Sequence, residues 1–173
     1  MMRTDREFAL EYGLTVSQKM LFAIGATVVR QASIEQSLAH LIILMLRLDS
    51  DAGFALTVGM SYRVLLSTLD SLLLMRIDRQ SPEYKKIREL MGALNSFEQF
   101  RDQIAHSMWG HAHDFNPGAG TRVRFGKSVP FEQASLHQIQ KELSVAADTS
   151  SKLTIFVRKL IGNPVPTIGP KGA

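Results

Sequence analysis

Within the stretch Phe97–Trp109, F-E-Q-F-R-D-Q-I-A-H-S-M-W, stand three ionisable residues whose types and spacing suit acid–base and phosphate chemistry: Arg101, Asp102 and His106. An imidazole titrates near neutrality and can take or give a proton. A guanidinium is permanently charged and grips phosphate oxygens in pairs. Asp102 and His106 are four apart and share a helix face, so the carboxylate can accept a hydrogen bond from one ring nitrogen and fix its tautomer. On an ideal helix Arg101 lies about 140° from His106, a gap to be closed by its long stem or by a helix that ends near the histidine.

The element carrying these groups reads as an apolar-faced helix. At 100° per residue, Ile87, Leu90, Met91, Leu94, Phe97, Ile104 and Met108 form one stripe, with Arg101 near its centre. An unpaired guanidinium in a core costs several kcal/mol, so Arg101 must meet a carboxylate or line a wet cleft between helices or subunits. Glu35 and Asp70, each set in an otherwise apolar helical stretch, are the candidate partners for a supporting ion pair.

Arg101-Asp102-Gln103-Ile104-Ala105-His106 resembles the signature of the HEPN domains: Arg, a polar residue, then a His after a short spacer. The I-A-H ending is common among bacterial members. The resemblance implies an all-α bundle over most of the chain, a homodimer whose two motifs meet across a cleft, and metal-independent endoribonuclease activity. Other members are noncatalytic dimeric or ligand-binding modules. By this resemblance the catalytic residues are Arg101, Asp102 and His106, with no metal and no cofactor, and the setting is a toxin or phage-defence system. Members paired with a nucleotidyltransferase antitoxin commonly carry Tyr two residues after the His, where this chain has Met108.

The 173 residues suffice for one domain with its own core. Hydrophobic residues at 45% and charged residues at 21% are ordinary globular values. A net charge of +4 permits an anionic partner such as RNA without demanding one. With no cysteine there is neither disulfide nor thiol catalysis, which fits a cytoplasmic protein. The opening M-M-R-T-D-R-E-F does not read as a secretion signal, and charges interrupt the long apolar stretches, so no membrane span is expected.

The pattern predicts an up-and-down bundle of about four long helices, with a small β-hairpin between the last two. Residues 1–14 read as a flexible arm, 15–161 as a single helical domain and 162–173 as a disordered tail. The first helix is expected over Ser17–Leu48, with Met20, Ile24, Thr27, Ile34, Leu38, Ile42 and Met45 on its inner stripe and Glu35 at the edge. L-I-I-L-M-L at 41–46 is apolar all round, which predicts a second contact surface, such as a dimer interface. A second helix follows the Asp49-Ser50-Asp51 cap signal and runs to about Ile77; its V-L-L-S-T-L-D-S-L-L-L-M segment is too apolar for a surface helix. Ser81-Pro82-Glu83 opens the motif helix, with Gly110 as its stop, and Ser135 caps a last helix to about Leu160.

Between them, alternation across residues 109–130 around N-P-G-A-G suggests the hairpin, with Arg122, Arg124 and Lys127 as a basic, RNA-binding edge. Trp109 can stack on a base or cap the core beneath the hairpin. His106, His111, His113 and Asp114 could supply metal ligands, but the alternation suits a polar hairpin face equally and a solvated loop is the better account, so no metal is expected. The basic run Arg76, Arg79, Lys85, Lys86 and Arg88 reads as a wet face or a phosphate-backbone contact. No phosphate-cradling glycine loop, nucleophile elbow or metalloprotease helix motif is present. Two functional classes remain: a dimeric metal-independent ribonuclease, or a noncatalytic module binding RNA, nucleotide or a protein partner such as an antitoxin.

Overall fold

The computed structural model describes residues 18–105, 107–110, 119–124 and 132–162. The arm, the tail, His106 and Lys127 therefore lie outside the described residues. The described chain is mostly helical, with α1 (Gln18–Leu46), α2 (Ser50–Thr57), α3 (Tyr62–Leu74), α4 (Pro82–Ala105) and α5 (Leu136–Gly162). Between α4 and α5 run three short antiparallel strands in the order β1 (Ser107–Gly110), β2 (Ala119–Arg124), β3 (Glu132–Ser135). None of the described helices is long and apolar enough to cross a membrane.

By its internal contacts the chain forms two compact units, Met1–Ala32 with Leu94–Asp148, and Ser33–Ala93 with Thr149–Ala173. The core of the first is Met20, Ala23, Ile104 and Ile139, with Ile24, Phe100, Leu136 and Leu143 packed against it. The core of the second comes from Ile34, Leu38, Leu41, Ile42 and Met45 of α1, Leu65, Leu69 and Leu73 of α3, and Leu153 and Val157 of α5. Full burial of each such aliphatic side chain contributes about 1.5–3 kcal/mol.

Helix ends follow local chemistry. Ser61 Oγ accepts from Val64 N, Ser81 Oγ from Tyr84 N and Ser135 Oγ from Gln138 N, so each serine caps the helix it precedes. Arg47 takes a positive φ of 56°, and Leu48 N donates to Ile43 O while Arg47 N donates to Leu44 O, which closes α1 in a left-handed cap. Asp49 caps α2 by accepting from Ala52 N at 2.9 Å.

Three expectations need correcting. The single second helix is two, α2 and α3, because Gly59 turns left-handed at φ 82° and Ser61 starts a new cap. The motif helix ends at Ala105 rather than near Gly110, and Ser107–Gly110 has strand backbone paired with β2, so the helical count that included Met108 stops short of it. In place of a two-stranded hairpin, the backbone there has three strands, since Glu132–Ser135 pairs with β2 directly before the α5 cap.

The all-round apolar stretch at 41–46 has a covering element within the chain. A Cβ on Gly53 of α2 would stand 2.6 Å from Ile43 Cγ1, so α2 approaches α1 there as closely as only glycine allows. The α3 segment is less enclosed than its composition predicts: Leu65, Leu69 and Leu73 are buried, but Val64 and Leu74, and Met75 just after it, are exposed.

Candidate functional site

Arg101 and Asp102 lie within the last five residues of α4, in the first unit. Arg101 Nη1 is 2.8 Å from Asp102 Oδ1, with the arginine side chain 22% exposed and the aspartate 38%. The carboxylate that Arg101 needs is thus its own neighbour, and the Asp102 oxygen expected to orient His106 is held by the guanidinium. Arg101 Nε is buried and has no hydrogen-bond partner among the described residues.

Glu35 and Asp70 belong to the second unit. Glu35 is half-buried at the edge of the α1 stripe, as its position predicts. Asp70 is fully engaged elsewhere. Tyr84 Oη donates to its Oδ1 at 2.8 Å and Arg88 Nη1 to its Oδ2 at 3.0 Å, so the proposed Asp70–Arg101 pair is replaced by a local network. Burial, and then the hydrogen bond to Asp70, push the Tyr84 hydroxyl above its usual pKa, because both disfavour a second negative charge.

The basic run around the α3–α4 turn is largely occupied as well. Arg76 Nη2 donates to Met45 O at 2.6 Å, which satisfies a carbonyl at the end of α1, and Lys86 pairs with Glu89. Arg88 is spent on Asp70. Lys86 and Arg88 remain more than half exposed, which fits the wet-face reading of that run. His40 and His137 are exposed, and His40 Nε2 lies 3.2 Å from Arg158 Nη2.

The strands set Trp109 opposite Arg122 and Ser107 opposite Arg124 in backbone register. His111, His113 and Asp114 lie outside the described residues, and among those described no group of three or more acidic, histidine or cysteine side chains is placed to hold a metal.

One residue escaped the sequence reading. Glu98 is only 6% exposed, the one buried carboxylate among the described residues, and its Oε2 has no hydrogen-bond partner among them. Its signal was available: it stands one residue from Phe97 on the apolar face and one turn before Arg101.

The fold and site together define a mostly helical protein with a half-buried arginine–aspartate pair and a buried glutamate near the end of one long helix. No protein-family model, curated protein or solved structure matches the chain.

Proposed function

We propose that this protein is a HEPN-like, metal-independent endoribonuclease that works as a cytoplasmic homodimer, its long helices forming an up-and-down bundle. Arg101 clamps the scissile phosphate, His106 is the general acid–base, and Asp102 orients His106. RNA carries its own nucleophile in the 2′-hydroxyl, so the protein needs to supply only proton transfer and charge stabilisation. Single-motif chemistry of this kind places no demand on a cofactor.

The observation that carries this reading is Arg101 itself. A half-buried guanidinium with one Nη on a half-exposed carboxylate keeps its second Nη as a donor for an anion. In sequence Arg101 stands five residues before His106, and α4 ends at Ala105, so the 140° separation of a continuous helix is not imposed on the two. The basic residues Arg122, Arg124 and Lys127 and the ring of Trp109 are assigned to holding the RNA strand.

The Arg101–Asp102 ion pair also favours a second reading, a noncatalytic module in which the pair is purely structural. Purified protein incubated with mixed RNA in EDTA separates the two. The ribonuclease reading expects cleavage by wild type, reduced about 100-fold or more in Arg101→Ala and His106→Ala at matched folding. A well-folded wild type that leaves RNA intact makes the noncatalytic module the better account.

A further inference from the structure

Glu98 and Arg101 carry complementary groups that do not meet. Glu98 Oε2 is a buried acceptor and Arg101 Nε a buried donor, and neither has a hydrogen-bond partner among the described residues. The residues are three apart on α4, acid first, the spacing at which side chains on a helix face one another. Residues 101 and 102 instead project about 100° apart. The Asp102 bond therefore draws the guanidinium off the Glu98 face and toward the more exposed side of the helix. Arg30 of α1 also has a buried Nε without a partner among the described residues, but only Arg101 is tied to Glu98 by a fixed helical spacing.

A buried carboxylate with an unfilled oxygen is costly, and removing that cost is a standing drive for the nearest cation to move. We infer that the Arg101 guanidinium has two seats and that Glu98 is its positioning residue. In the seat described here Asp102 latches one Nη. In the other, Nε–H donates to Glu98 Oε2, and both Nη groups face outward as a fork.

For its consequence this inference rests on the phosphate-clamp reading. The fork of the second seat matches a pair of phosphate oxygens, whereas the latched seat has one Nη already spent. A phosphate also repels the Asp102 carboxylate, which favours release of the latch on Arg101. The latched arrangement is thus the resting one, and RNA itself selects the working one.

NMR of the Arg101 Nε–H group, assigned with Arg101→Lys, tests the two seats on the full chain without RNA. In Asp102→Asn the latch is gone, so the Nε–H resonance is expected to move downfield and its exchange with water to slow by about tenfold, as a charge-assisted hydrogen bond forms. In Asp102→Asn/Glu98→Gln both changes are expected to disappear. Glu98→Met, of similar length and without charge, replaces Glu98→Gln if that variant does not fold. An Asp102→Asn resonance that stays at the wild-type position, or a shift that survives the loss of the Glu98 carboxylate, overturns the inference. Because no RNA enters the measurement, failure of the ribonuclease reading shows separately, as a moving resonance in a protein that cleaves nothing.

Discussion

Asp70 on α3 receives Tyr84 Oη on one oxygen at 2.8 Å and Arg88 Nη1 on the other at 3.0 Å, whereas Glu98 on α4 is more deeply buried and keeps Oε2 without a hydrogen-bond partner among the described residues, although Arg101 stands one turn away. Both acids sit near an arginine of α4. In the second unit both oxygens of the acid are filled, one by the tyrosine and one by the arginine. In the first unit the arginine turns to the more exposed Asp102, and the buried acid is left in debt. Local rules that are met in one place and broken in another mark the broken place as the functional candidate.

Removing the two acids should therefore have different consequences. Asp70→Ala is expected to destabilise the protein by about 2 kcal/mol in urea denaturation, mostly because it orphans the buried Tyr84 hydroxyl. Arg88→Ala should cost less, about 1 kcal/mol or under, since its side chain is 55% exposed and the ion pair is screened. Equal losses in the two variants would mean that the ion pair, and not the tyrosine, holds this cluster.

Glu98→Gln should change stability by no more than about 1 kcal/mol, because the shape is kept and Oε2 has no hydrogen bond to lose among the described residues. In the same variant, KM for RNA is expected to rise about tenfold with kcat nearly kept, while Asp102→Asn should act chiefly on kcat. A Glu98→Gln protein as destabilised as Asp70→Ala would erase the distinction between the clusters.

Tyr84→Phe is the smallest change, about 1 kcal/mol at neutral pH. It also alters the alkaline limb. The folded-state pKa of Tyr84 is raised, so its contribution is fully present below the unfolded value of 10.0 and is lost as pH climbs through the folded value. Wild type should accordingly lose stability above pH 10 by more than Tyr84→Phe does, as read by denaturation at successive pH values. Parallel curves would show that the hydroxyl is not buried against Asp70 in solution.

The helical spacing made much of this legible in advance. The inner stripe of α1, the Ser81-Pro82 start of α4 and the Ser135 cap of α5 are all written in residue type and period, which depend on neighbours a few positions away. The break at Gly59 was hidden because V-G-M-S sits between two apolar runs that read as one helix. Ser107–Gly110 read as helix because four residues are too few to show whether a period is two or near four.

Pairing was less legible than periodicity. By sequence Glu35 is the first candidate for Arg101 and Asp70 the second, because sequence shows which charges need partners and not which partner each takes. The partner found, Asp102 beside Arg101, lies outside the expected pairs because adjacent helical side chains diverge. The same divergence is what leaves Glu98 unfilled.

The most direct test compares the two α4 arginines on one substrate. Arg101→Ala and Arg88→Ala, each verified as folded, are assayed for RNA cleavage in EDTA against wild type. The account predicts that Arg88→Ala cleaves within about twofold of wild type and Arg101→Ala at least about 100-fold more slowly. Equal rates for the two variants, or no cleavage by wild type, would contradict it.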